Sequence, residues 1–177
     1  CQYADLLNKS AKTRLEAVRK LREILRKTSQ SAEVYHSLAD IYIEMGDYQS
    51  ALLPARLAAN LLDENNHYAR TCANVYRWLN REEEGLEYLK KRALCYSDFK
   101  LAWDGWECYI DTLEDYGYPR LAYEKLLDLK ETYLDICDFN SYALNFLIRR
   151  GEWDEAKKTL ERLKNDENRL AYYRAAY

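Results

Sequence analysis

Apolar and polar positions alternate along this chain with a helical period, and the pattern itself recurs. Small residues stand at Ala17, Ala51, Gly85, Ala122 and Ala156, separated by 34, 34, 37 and 34 positions. Five places before the last four come Gly46, Asn80, Gly117 and Gly151, residue types that enter a tight turn at low cost. Nine places before the same four come Tyr42, Tyr76, Leu113 and Leu147, and four places after the small column come Leu21, Ala55, Leu89, Leu126 and Leu160. A register shared by four columns predicts units of helix, turn, helix, in which the small residue lets the two helices cross closely. Neither helix can bury its apolar stripe alone, so the units are expected to stack around a common core.

The expected hairpins span about 2–30, 31–64, 65–97, 98–135 and 137–166, with a terminal helix at 168–176, all within one solenoid of 177 residues. The unit of 37 carries about three extra residues in 96–103, which predicts a longer loop or an extended first helix there. Bulky aromatics such as Tyr35, Tyr42, Tyr76, Trp106, Tyr109 and Trp153 are expected to fill the columns between hairpins.

The segment Ala32 to Asn66 resembles a tetratricopeptide repeat, through Tyr35, Leu38, Ala39, Tyr42, Gly46, Tyr48, Ala51 and Ala58. Asp138 to Asn168 resembles it through Ala143, Leu144, Leu147, Gly151, Trp153 and Ala156, and the resemblance covers about residues 13–168. It implies an all-α solenoid of stacked antiparallel hairpins wound as a right-handed superhelix, and a protein–protein interaction role rather than catalysis.

Composition agrees with helix. The chain is 48% hydrophobic and 32% charged, with 5 Gly and 2 Pro. No run of about 18 apolar residues occurs, so no membrane-spanning helix is predicted. The net charge of -3 is unevenly spread: the first thirty residues carry eight Lys/Arg against three Asp/Glu, and the remainder 19 against 27. Attraction to nucleic acid is therefore not a property of the whole chain. Lys12, Arg14, Arg19, Lys20, Arg22, Arg26 and Lys27 form the basic face of an amphipathic helix, either a solvated surface or a contact with anionic lipid or an acidic partner.

Catalytic constellations are missing from the sequence. His36 and His67 lie in different repeats without a Ser or Cys nucleophile in a known signature, and there is no phosphate loop or H-E-x-x-H. The five cysteines, Cys1, Cys72, Cys95, Cys108 and Cys137, have no zinc-like spacing. Neither a metal nor a cofactor is expected, and the chain is read as non-enzymatic.

The resemblance implies that partners lie in a concave groove lined by the first helix of each hairpin. Carried over, that groove comprises Glu33, His36, Asp40 and Ile43, then His67, Arg70, Asn74, Arg77 and Trp78, then Asp104, Glu107, Asp111 and Glu114, and finally Ser141, Tyr142, Asn145, Ile148 and Arg149. It would be basic and aromatic in its second quarter and acidic in its third, suited to an extended peptide or a charged helix. Reversing Arg70 and Arg77 is expected to abolish capture with little effect on melting. Some family members clamp a C-terminal carboxylate with basic residues and Asn. Arg70 and Asn74 match the first half of that clamp, but Cys108, Asp138 and Tyr142 depart from the rest, so that mode is not expected.

Cys1 admits two readings. It is either a fragment boundary or the acylated N-terminus of a bacterial lipoprotein, with Gln2 rather than an inner-membrane retention Asp following it. Under the lipoprotein reading the chain resembles pilotin-type assembly factors of pili and secretion systems at the periplasmic face of the outer membrane. Otherwise it is a cytoplasmic adaptor or chaperone holding a client peptide. A regulatory subunit of an enzyme complex is the third class. Four further thiols mildly favour a reducing compartment.

Overall fold

A computed structural model describes residues 11–164. Cys1, the first helix expected at 2–8 and the terminal helix expected at 168–176 lie outside the described residues. Among these, every regular element is a helix: α1 (Ala11–Lys27), α2 (Ala32–Glu44), α3 (Tyr48–Leu61), α4 (Asn66–Trp78), α5 (Glu82–Cys95), α6 (Phe99–Asp115), α7 (Pro119–Leu129), α8 (Cys137–Arg150) and α9 (Trp153–Lys164). The chain divides into two compact units, one ending at Tyr116 and the other beginning at Gly117.

Local chemistry sets the helix ends. Ser31, Asp47, Asn65 and Asp98 precede α2, α3, α4 and α6, and each accepts a hydrogen bond from a backbone N–H of the first turn. Those N–H groups have no partner inside the helix, so a side-chain oxygen there fixes the starting residue. The turn column behaves as its residue types predict. Gly46, Asn80, Gly117 and Gly151 all take positive φ, and Asn80, at 59°, is the only non-glycine among the described residues to do so. The extra residues of the longest repeat extend a first helix: α6 has 17 residues where α2 and α4 have 13.

In the first unit, α1 packs on α2, each later helix packs on the one before it, and α4 also touches α6. The core joins Ala17, Val18 and Leu21 of α1 to Val34, Leu38, Ile41 and Tyr42 of α2, Ala51 and Ala55 of α3, and Cys72, Val75 and Tyr76 of α4. Small residues control the crossings. A Cβ placed on Gly85 would lie 2.9 Å from the Ala73 carbonyl oxygen and 3.0 Å from the Tyr76 Cβ, and one on Gly105 would lie 3.0 Å from the Ala93 Cα. Gly105 extends this close approach to α5 and α6, outside the columns visible in the sequence.

In the second unit, α8 and α9 form a hairpin, Leu126 of α7 lines a small cavity together with Phe139, Leu147 and Thr159, and Ala122, Leu129 and Phe146 are buried. Buried Asn140 donates to the Leu134 and Ile136 carbonyls, tying down the irregular segment before α8. Trp153 departs from expectation: it is 65% exposed. Its equivalent, Tyr48, meets Trp78 of the following hairpin with tilted rings, centres 5.1 Å apart.

Candidate partner-binding face

The first helices α2, α4 and α6 are linked by polar side chains along one face of the first unit. His36 connects α2 to α4. Its Nδ1 lies 3.0 Å from an Asp40 carboxylate oxygen, its Nε2 3.4 Å from the Thr71 hydroxyl, and its ring stacks on Tyr68 at 4.3 Å. The His67 ring lies 5.0 Å away. Burial raises the Tyr68 pKa, and the charges of Glu33 and Asp40 act in the same direction.

The join between α4 and α6 is denser. Arg70 donates to the Asp115 carboxylate. Arg77 donates to the Asp115 carbonyl at 3.2 Å, pairs with Glu82 at 3.2 Å, and sits over the Tyr116 ring. The Tyr116 hydroxyl donates to Asn74 at 3.2 Å; burial raises its pKa, against the nearby charge of Arg77. At the other end, the Asn66 side chain donates to the Asp104 carbonyl at 2.8 Å. The Cys108 thiol reaches the Asn66 carbonyl at 3.7 Å, and burial pushes its pKa up to about 11.

Between these two sets of bonds lies a cavity of about 290 Å³, open to solvent and lined by Asn66, His67, Arg70, Asp104, Glu107, Cys108 and Asp111. Among the described residues no group of three or more His, Cys, Asp or Glu is placed to hold a metal ion.

The face thus brings together His36 with Asp40, and Arg70 with Asp104, Glu107 and Asp111. Asn74 and Arg77 lie along α4 as inter-repeat links, and Trp78 stands at the end of α4 against Tyr48. Tyr142, Asn145 and Arg149 lie in the second unit on α8, where Tyr142 contacts Phe146 at 5.9 Å, Asn145 is exposed, and the Arg149 guanidinium lies 5.8 Å from the Phe146 ring. Arg70 and Arg77 both bond to residues at the end of α6, so reversing their charges is expected to act on folding as well as on binding. The periodicity did not single out Asn66, Tyr68, Asp115 and Tyr116. Asn66 and Tyr116 flank the repeat columns, and only the packing of α4 on α6 gives them a role.

The basic face of α1 is largely engaged with its neighbours. Arg14 pairs with Glu44 at 3.6 Å, Arg22 donates to the Tyr42 hydroxyl at 2.6 Å, and Lys20 and Lys27 pair with Glu16 and Glu23 one turn earlier. No helix among the described residues is long and apolar enough to cross a membrane.

No family model matches the chain, and no curated protein does either. Solved structures do. A kinesin light chain protein of Podosopora anserina with nearly identical TPR-like repeats is 16% identical, with a TM-score of 0.51 over 93% of this chain and 91% of its own. A single-substitution form of that protein gives 16% identity and a TM-score of 0.50 over the same shares. The protein MamA is 14% identical, with a TM-score of 0.48 over 89% of this chain and 90% of its own. At these identities the kinesin light chain likeness speaks to fold: the chain has an all-α architecture of tetratricopeptide-like helical hairpins.

Proposed function

We propose that this protein is a non-catalytic scaffold that holds a segment of a partner protein on the α2–α4–α6 face. The cavity between α4 and α6 carries the reading. It is a recess near the lower end of the size of ligand sites, roughly 300–1,000 Å³, framed by polar side chains on rigid helices. Such helices hold their geometry before a partner arrives, which reduces the ordering cost of association.

The test is a plug. His67 is exposed at the cavity and outside the hydrophobic core, so His67→Trp should fill the recess without unfolding the chain. Proteins that co-purify with the chain from its own cell should fall about tenfold, a loss of ~1.4 kcal/mol, with melting unchanged. Undiminished co-purification would remove the cavity from the account.

A narrower reading, a lipid-anchored assembly factor of a bacterial pilus or secretion apparatus, draws on Cys1 and on Arg19 and Arg26, which α1 exposes to solvent. Intact mass of protein extracted with detergent decides it. An excess matching a diacylglycerol and an acyl chain on Cys1 supports the anchor, and an unmodified chain favours a soluble adaptor.

A further inference from the structure

We infer that the joint between α2 and α4 is proton-sensitive: it makes all its hydrogen bonds only when the His36 ring carries a proton on each nitrogen. Three contacts meet there. Nδ1 lies 3.0 Å from an Asp40 carboxylate oxygen, Nε2 lies 3.4 Å from the Thr71 hydroxyl, and that hydroxyl donates to the His67 carbonyl at 3.0 Å. A carboxylate and a carbonyl only accept, and a hydroxyl has one proton to give. Thr71 spends its proton on the His67 carbonyl, so it accepts from Nε2, while Nδ1 donates to Asp40. A neutral ring has a single proton and makes two of the three bonds. With that proton on Nδ1, Thr71 must leave the His67 carbonyl to reach Nε2.

The charges around the ring come from several helices. On α2, Asp40 faces it, and the charges of Asp40 and Glu33 both reach Tyr68, whose ring stacks on His36 at 4.3 Å. On α4, the His67 ring lies 5.0 Å away and opposes a second positive charge when it is itself protonated, whereas Arg70 is bonded to Asp115. Asp104 and Glu107 of α6 share the open cavity with His67. Arg14 and Arg22 of α1 are engaged with Glu44 and Tyr42, and the charge of Arg56 on α3 is felt at Cys72. Histidine changes charge between about pH 5 and 8. A bond made only by the protonated ring stabilises the folded chain below that range and is lost as pH rises through it, so the joint tightens on acidification.

The experiment compares denaturant unfolding of the full chain with that of Thr71→Val, which keeps the branched shape and removes the hydroxyl, at about pH 5 and about pH 8. The stability gap between them should be wider in acid, by about tenfold in the unfolding equilibrium. Groups common to both chains cancel in that comparison. Thr71→Ser, which keeps the hydroxyl, should show no such widening. A gap equal at the two pH values, or wider at the higher one, would overturn the inference.

Should Thr71→Val fail to fold, ring-nitrogen NMR of the unaltered chain decides. The chain has two histidines, told apart with His67→Gln, and the His36 side chain is only 13% exposed. In mild acid both His36 N–H protons should be protected from exchange with water, and Nε2 should be the nitrogen that gives up its proton as pH rises. A single protected N–H in acid, or loss of the Nδ1 proton first, would overturn the inference.

Discussion

The guanidinium of Arg77, on α4, lies 4.4 Å from the ring centre of Tyr116, the residue that follows α6. Tyr116 is buried, and its hydroxyl donates back to Asn74 one turn earlier on α4. One aromatic residue thus clasps two polar side chains of the preceding repeat. Removing either partner should cost more than a solvent-exposed pair would, because the ring is shielded from water. A double-mutant cycle of Arg77→Ala and Tyr116→Phe, extended to Tyr116→Leu, should give a coupling of about 0.5–2 kcal/mol in denaturant unfolding, carried mainly by the ring. Additive effects would show the contact to be incidental.

Gly85 offers a sharper test of the repeat. Its backbone approaches α4 so closely that an added Cβ meets a carbonyl oxygen at 2.9 Å, and backbone cannot step aside as a flexible side chain can. Gly85→Ala should therefore destabilise the chain by about 1–3 kcal/mol despite the better helix propensity of alanine. A rise in melting temperature would show that α4 and α5 are less closely packed than described. Asn80→Gly, at the positive-φ turn just before, should be neutral or slightly stabilising by the same measurement.

The fold was legible because it is written in a repeat. The turn column of Gly46, Asn80, Gly117 and Gly151 and the small column of Ala51, Gly85, Ala122 and Ala156 are backbone requirements, and few residue types satisfy them. The face was legible only as a set of positions. Helical spacing places Arg70 and Arg77 on one side of α4, but it cannot show that Asp115 and Glu82 have taken their charges. That depends on the distance between helices of different repeats, set in part by Gly105 and the length of α6. Trp153 was misread because a column position tells which way a side chain faces, and not whether another side chain covers it.

Thiol reactivity should separate the cysteines by burial. Cys72 and Cys108 are buried, and burial pushes their thiols up to about 12 and about 11, so little thiolate forms at neutral pH. Cys95 is exposed. Brief alkylation of the native protein followed by peptide mapping should mark Cys95 and spare Cys72 and Cys108 until denaturant is added. Early labelling of Cys72 would contradict the packing of α4.

In the second unit, Glu155 accepts hydrogen bonds from Lys130 and Lys158, both at 2.7 Å, which hold its carboxyl down at about 2 against an ordinary 4.5. The folded carboxyl titrates below its unfolded counterpart. Its contribution is therefore complete above about pH 4.5 and is lost as pH falls toward 2. Glu155→Gln should lower stability at neutral pH by about 1 kcal/mol, a value limited by solvent screening, and the gap should close in acid. A gap that stayed constant between neutral pH and pH 2 would refute the assignment.

The account's central claim is that a partner protein sits on the α4–α6 face, and site-specific photo-cross-linking in the native cell tests it most directly. A photoreactive amino acid at position 67 places the probe at the cavity; one at position 53 replaces Leu53, which is 65% exposed on α3. The account predicts a discrete protein adduct from position 67 that position 53 does not give. Adducts from position 53 alone, or equal adducts from both, would contradict it.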